Sequence, residues 1–209
     1  MHVESTIHPH VRDERAQLFL ADDGNSPELE YRDLLGALVR SLKPGSILET
    51  GTGSGRSTLA LALAARDYGG YLTTIEQDFE LQRKAHELLA SRQLLSPHVY
   101  LIQGDSLTIL SSSAKKYHRF DFCFLDSNLA HRATELRILC ENGMLKENAV
   151  VVVHDTSILR EMPSGTRCGE SISYYNAIIQ VLADFPQLVG PIVFPLSRGL
   201  HLFQWQTPK

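Results

Sequence analysis

Cysteine is scarce in this chain, and the scarcity excludes several chemistries. Only Cys123, Cys140 and Cys168 occur in 209 residues. Their spacing fits neither a metal clip nor a Cys-x-x-Cys redox pair. An odd number argues against a disulfide-stapled secreted fold and points to a reducing, cytoplasmic setting. Long apolar runs are missing as well. None approaches the roughly 18 residues needed to cross a bilayer. The opening stretch, Met1 to Val11, is polar and His-rich, so neither a targeting segment nor a membrane segment is expected. Positive charge is not in excess. A formal net charge of −4 provides no global field to attract nucleic acid or anionic lipid. The local basic cluster Lys115, Lys116, His118 and Arg119 reads as a solvated loop before a strand. Internal repeats and low-complexity tracts are absent too, which leaves an ordinary globular chain.

What is present is an alternation. Apolar residues make up 43% and charged residues 21%, enough for a sizeable core without staples. Short apolar runs alternate with longer amphipathic ones, the pattern of βαβ units and a mostly parallel sheet. Strands are expected at Ser46 to Thr50, Tyr71 to Glu76, Val99 to Gln103, Phe120 to Leu125 and Ala149 to Val153. A closing pair, Leu188 to Pro195 and Leu200 to Trp205, is joined by Ser197-Arg198-Gly199 and reads as an antiparallel hairpin. Helices are expected over Ser57 to Arg66, Phe79 to Leu94, Ser106 to Leu110, His131 to Cys140 and Ser173 to Phe185. Before the first strand, Val11 to Leu20 could form one helix. Leu34, Leu35, Leu38, Val39 and Leu42 recur at helical spacing in another. The expectation is a single domain over 1–209, with an N-terminal helical segment over 1–43 and the core over 44–209. Seven strands with helices on both faces make this an α/β fold.

The chemistry gathers at the carboxyl ends of the strands. Glu49-Thr-Gly51-Thr52-Gly53-Ser-Gly55 directly follows the first strand and opens a helix beginning near Ser57. Glycines there allow a tight turn and close ligand approach. The following helix N-terminus offers free N–H groups to a carboxylate or phosphate. A dinucleotide fingerprint would need glycine at position 56, which is Arg56. Glu76, followed by Gln77, ends the second strand, where a carboxylate can accept both hydroxyls of a ribose. Asp78 is its local competitor. Asp105-Ser106 follows the third strand; Asp105 either faces a ligand or caps the next helix. Asp126 closes the fourth strand. His154-Asp155 ends the fifth, and such a pair is costly to leave unpaired, so it is expected to face the cleft.

Taken together, these pieces resemble the class I S-adenosylmethionine-dependent methyltransferases, over roughly Leu34 to Trp205. The fourth-strand Phe-Leu-Asp and fifth-strand Val-Val-Val-His-Asp are similar to small O-methyltransferases of the catechol and caffeoyl-CoA type and their bacterial relatives. The resemblance implies a Rossmann-like methyltransferase fold with seven strands and a C-terminal antiparallel hairpin. It implies S-adenosylmethionine bound by Glu49, Gly51, Thr52, Gly53, Gly55 and Ser57 at the methionine end. Glu76 and Gln77 would lie at the ribose, Asp105 and Ser106 at the adenine, and Asp126 beside them. In those relatives the fourth-strand acid, with an acid and an amide after the fifth strand, holds a divalent metal that grips neighbouring hydroxyls of the substrate.

The chain departs from that pattern in two places. The lysine base expected three residues after Asp126 is Leu129, and the amide after Asp155 is Thr156. His131 and His154 are the candidate replacements as base, since imidazole titrates near neutrality. Asp126, Asp155 and His154 are the candidate ligands for Mg²⁺ or Mn²⁺. The catalytic candidates are therefore Asp126, His131, His154 and Asp155. The expected activity is O-methylation of a small molecule. N-methylation or another transfer on the same fold, and a cofactor-binding partner protein without catalysis, stay open as alternatives. Nucleic-acid methylation is disfavoured by the acidic chain and by the lack of an Asn/Asp-Pro-Pro-aromatic motif. Relatives are often dimers, and the N-terminal helices could supply an interface. Substrate recognition is expected in Met1 to Glu30 and Ile158 to Ser173, where Arg160, Arg167 and Glu170 could meet a charged group and Gly165 and Gly169 permit lid closure.

Overall fold

Ser46 to Thr50 is buried at every position, and that is what a strand inside a parallel sheet requires. In the computed structural model, which describes residues 26–113, 119–157, 168–195 and 197–207, this strand lies near the middle of a seven-stranded sheet. The elements in chain order are α1 (Leu29–Leu42), β1 (Ser46–Thr50), α2 (Arg56–Arg66), β2 (Tyr71–Glu76), α3 (Phe79–Ser91), β3 (Val99–Gln103) and α4 (Ser106–Ser113). They continue as β4 (Phe120–Leu125), α5 (Arg132–Glu141), β5 (Leu145–His154), α6 (Cys168–Asp184), β6 (Leu188–Phe194) and β7 (Leu200–Trp205). The strand order is β3-β2-β1-β4-β5-β7-β6. Strands β1 to β5 pair in parallel, while β7 runs antiparallel to both β5 and β6. The Rossmann-like fold with its closing hairpin is therefore as expected.

Alternation along the central strands builds the two cores. Phe122, Phe124, Val150 and Val152 face one side, where they pack with Leu35 and Val39 of α1, Leu61 and Ala62 of α2, and Leu89 of α3. Cys123, Leu125, Val151 and Val153 face the other, with Leu110 of α4, Leu136 and Leu139 of α5, and Ile178 and Val181 of α6. Successive side chains of a strand point to opposite faces, so a run such as Ala-Val-Val-Val-Val feeds both cores at once. Each fully buried valine of that run contributes about 1.5–3 kcal/mol. Asp121 holds the entry edge of the sheet together, accepting from Ser46 N at 2.9 Å and from Lys146 Nζ at 2.8 Å.

The element bounds differ from the sequence reading in instructive places. Helix α1 begins at Leu29, and Leu42 at its end is exposed rather than part of the apolar stripe. Helix α3 stops at Ser91 because Gln93 takes a left-handed turn with φ 55°. Strand β5 starts at Leu145, four residues early, with Asn148 at φ 63° inside it. Helix α6 starts at Cys168, so Gly169 and Glu170 belong to a helix and not to the expected loop. The helix expected over Val11 to Leu20, the basic cluster at Lys115, Lys116 and His118, and Arg160, Gly165 and Arg167 lie outside the described residues. No helix among the described residues is long and apolar enough to cross a membrane.

Candidate active site

The glycine-rich turn after β1 is built by close backbone approach. Gly51, Gly53 and Gly55 all have positive φ, at 82°, 55° and 87°. A Cβ on Gly51 would sit 2.3 Å from the backbone carbonyl oxygen of Asp126. Only glycine fits between the ends of β1 and β4. Backbone bonds lock the approach: Gly51 N donates to Ile75 O at 2.9 Å, and Asp126 N donates to Thr50 O at 2.9 Å. Helix α2 then opens at Gly55 with no side-chain cap and no acid in its first turn. By contrast, α3 is capped by Asp78, which accepts from Leu81 N at 2.9 Å. Asp78 is thereby accounted for, and the acid of this region that lines the cavity is Glu76. Its Oε2 accepts from Gly53 N at 2.8 Å and its Oε1 from Asp78 N at 2.9 Å. A carboxylate offers about four acceptor sites, so Glu76 retains capacity for two hydroxyls.

A cavity of about 310 Å³ opens at this end of the sheet. Gly51 and Gly53, Glu76 and Gln77, Gly104 and Ser106, and Asp126 to Asn128 bring the ends of β1 to β4 to its wall. His131, Arg132, Asp155 and Arg198 complete it. The position is the crevice beside the β1/β4 crossover, where chain connections diverge to opposite faces of an open α/β sheet and ligands bind.

Several expected ligand residues lie elsewhere. Glu49 is fully buried under the loop, where its Oε2 accepts from Thr58 Oγ1 at 2.6 Å and Thr74 Oγ1 at 2.7 Å. Burial pushes its carboxyl up to about 7. Thr52, in the turn after β1, pairs with Thr74 of β2 at 2.6 Å. Neither Glu49, Thr52, Gly55 nor Ser57 lines the cavity, so these residues brace the loop. Asp105 caps α4, accepting from Thr108 N at 2.9 Å and Thr108 Oγ1 at 2.7 Å. Those bonds hold its carboxyl below the usual range. Ser106 donates to Glu135, a fully buried acid of α5 that also accepts from Thr50 Oγ1 at 2.8 Å and Ser127 Oγ at 2.6 Å. Glu135 thus ties the ends of β1, β3 and β4 together. Nothing in the local sequence separates it from a solvated helix acid.

From the cavity wall inward, the expected acids and imidazole belong to a closed ring of charges. His154 is fully buried, with Nδ1 2.9 Å from Asp126 Oδ1 and Nε2 2.9 Å from Glu28 Oε2. Arg132 reaches Asp126 at 3.0 Å and Asp155 at 2.7 Å. It also donates to the carbonyls of Ser127 and His154. Arg198 approaches Asp155 at 3.7 Å and Glu28 at 3.3 Å, closing the ring. Glu28, Asp126 and Asp155 are thus matched by His154, Arg132 and Arg198. Asp155 holds its place with φ 60°, a left-handed conformation that aspartate tolerates better than most residues. The sequence reading missed Glu28, Arg132, Glu135 and Arg198. Of these, only Arg132, a charge near the start of a helix after a strand-end acid, left a faint signal.

The ring sets protonation states. Burial alone would discharge His154, but the carboxylates of Asp126 and Asp155 outweigh it and raise the imidazole to about 9. Burial would also protonate Glu28, yet the bond from His154 and the charge of Arg198 hold it well below 4.5. Burial works against Arg132 too, and the two aspartates keep it charged. A histidine raised from 6.5 to about 9 contributes fully below pH 6.5 and loses its contribution as pH climbs through about 9. Glu28 contributes above its ordinary 4.5 and loses that as pH falls. Glu49, raised from 4.5 to about 7, removes stability as pH climbs across that interval. Thermal melts across pH should therefore peak near about 5, with a further decline on the order of 3 kcal/mol between about pH 6.5 and pH 10 as His154 loses its proton. A profile flat from about pH 7.5 to 10 would show that His154 is not an imidazolium.

Comparison with known proteins decides the family. The model of the family described as Methyltransferase domain matches residues 48–156, just over half of the chain. The chain belongs to this methyltransferase family. The matched span of the methyltransferase runs from β1 to Thr156 and so contains the glycine turn, Glu76, Asp126 and the His154-Asp155 pair. A protein of Mycobacterium sp. (strain JLS) that carries a provisional O-methyltransferase name is 26% identical over 168 residues, 80% of this chain and 73% of the relative. Among solved structures, the SAH-bound methyltransferase PaMTH1 of Podospora anserina is 19% identical with a TM-score of 0.75, covering 93% of this chain and 86% of that one. The O-methyltransferase of Bacillus cereus in complex with SAH is 20% identical with a TM-score of 0.74, covering 88% and 84%.

Proposed function

We propose that this methyltransferase moves the methyl group of S-adenosylmethionine to an oxygen of a small molecule. The observation that carries the reading is the glycine turn, whose Gly51 and Gly53 line the same cavity as Glu76. The first, with Gly51 and Gly53 at positive φ, lets a ligand approach the backbone closely. The second suits the ribose hydroxyls. Support also comes from the B. cereus and P. anserina neighbours, which hold SAH, and from the O-methyltransferase names of the relatives. When bound, the cofactor supplies an electrophilic methyl on a sulfonium.

The protein's own task is alignment, exclusion of water and removal of the acceptor's proton. Of the two candidate imidazoles, His131 lines the cavity, 3.7 Å from Asp105, whereas both nitrogens of His154 are engaged inside the ring. His131 is therefore the imidazole we assign to the acceptor's proton. The reading is tested by incubating protein and S-adenosylmethionine with phenolic, hydroxylated and amine acceptors and measuring the S-adenosylhomocysteine formed. Turnover on hydroxyl acceptors is the expected result. Turnover confined to amines would replace O-methylation with N-methylation. Calorimetric titration tests the cofactor subsite: Glu76→Ala should weaken S-adenosylmethionine binding by about 1–3 kcal/mol, the loss of charged hydrogen bonds. Unchanged affinity would remove Glu76 from the ribose.

A further inference from the structure

The relatives that this chain resembles hold a divalent cation between the fourth-strand acid and the acid after the fifth strand. Asp126, His154 and Asp155 do place one potential ligand atom each within 4.8 Å of one another. These residues nevertheless do not fit a metal, because the place between the carboxylates is filled. Arg132 sets one guanidinium nitrogen 3.0 Å from Asp126 and another 2.7 Å from Asp155. The side chains of Arg132, Asp126 and Asp155 are all nearly inaccessible, at 5%, 5% and 7% exposure. His154 has no nitrogen to give, since its Nδ1 meets Asp126 and its Nε2 meets Glu28. The neutral amide that would complete a metal shell is replaced by Thr156.

We infer that Arg132 is a built-in cation occupying the metal's place, so that the cleft of this chain takes no divalent ion and works without one. Asp126 and Asp155 already share the Arg132 guanidinium, and Asp155 also faces Arg198 at 3.7 Å. A divalent ion would add two uncompensated charges to a desolvated site unless it expelled Arg132. That expulsion would strip Arg132 of its bonds to Asp126, Asp155 and the carbonyls of Ser127 and His154. A planar guanidinium with five donors can bridge two carboxylates and two carbonyls at once, which a lysine ammonium with three donors cannot. Arg132 is thus a positioning residue: it holds Asp126 and Asp155 at the wall of the cavity from the first turn of α5, directly after His131.

The consequence for methyl transfer rests on the function proposed above, but the ion-binding claim does not, and the test keeps the two apart. Full-length protein is titrated with Mn²⁺ and followed by electron paramagnetic resonance. Its melting temperature is measured separately with Mg²⁺, with EDTA and with S-adenosylhomocysteine. The expected results are no saturable Mn²⁺ site in the wild type and a melting temperature indifferent to Mg²⁺ and EDTA. Arg132→Met, which empties the place between the aspartates while keeping an unbranched side chain, should gain one Mn²⁺ per chain. That gained site should disappear in Arg132→Met/Asp155→Asn. A wild-type Mn²⁺ site that Asp155→Asn abolishes would overturn the inference, as would a folded Arg132→Met that binds no Mn²⁺. If Arg132→Met does not fold, the wild-type titration alone decides. Failure of S-adenosylhomocysteine to raise the melting temperature would count against the cofactor reading and leave the Mn²⁺ result standing.

Discussion

Glu28→Ala should destabilise this protein more than its place at a helix entrance suggests, by about 3–5 kcal/mol, the usual cost of removing one partner from a buried ion pair. Glu28 precedes the first turn of α1, yet its side chain is only 2% exposed. One carboxylate oxygen meets His154 Nε2 at 2.9 Å. The other takes bonds from Ser197 and from the backbone N of Arg198. Its loss leaves His154, Arg132 and Arg198 facing only the carboxylates of Asp126 and Asp155. For a chain of this length the melting temperature should drop by roughly 6–20 °C at pH 6. The drop should shrink at pH 10, where His154 is neutral in both proteins. Glu28→Gln keeps the shape and loses the charge, so it should fall between the wild type and Glu28→Ala. A shift under about 2 °C for Glu28→Ala would mean that the ring does not hold the N-terminal segment onto the sheet.

Gly51→Ala should do comparable damage by another route, and the damage should reach the cavity directly. Alanine at φ 82° carries about 1–2 kcal/mol of backbone penalty. The new Cβ would also meet the Asp126 carbonyl oxygen at 2.3 Å and its carbon at 2.6 Å. Both are backbone atoms, which no rotamer change can move. The β1 turn and the end of β4 must separate, and these are two walls of the same cavity. Calorimetry should show S-adenosylhomocysteine binding weakened at least about tenfold, equivalent to 1.4 kcal/mol or more. Gly143→Ala is the control. It too has positive φ, 60°, but nothing lies within 4 Å of the point where its Cβ would stand, so it should cost only the backbone penalty and leave binding intact. Equal effects of the two substitutions on binding would remove the close approach as the cause.

Much of the fold was legible because short apolar runs bounded by turn residues mark strands, whether buried as in β1 or mostly exposed as in β3. Ser46 to Thr50, Tyr71 to Glu76, Val99 to Gln103, Phe120 to Leu125 and Leu200 to Trp205 are all strands at the expected bounds. The glycine turn was legible for a related reason: only glycine tolerates positive φ against a neighbouring backbone. Boundaries were less so where single residues turn left-handed. Gln93 carries no side-chain signal for such a turn, and the left-handed tolerance of Asn148 does not by itself say where a strand begins. The likeness of His154-Asp155 to a ligand set was also legible, but not the identity of its partners.

The sequence by itself determined the sheet, the crossover cleft and the strand-end acids, because each depends on a short-range pattern of apolar spacing and turn chemistry. Only the tertiary structure decided which of those acids faces the cavity and which cation lies between Asp126 and Asp155. Glu28 meets His154 across 126 positions and Arg198 across 170, and Glu135 meets Thr50 across 85. A buried charge must find a counter-charge wherever the fold brings one, and that distance in sequence leaves no periodicity to read.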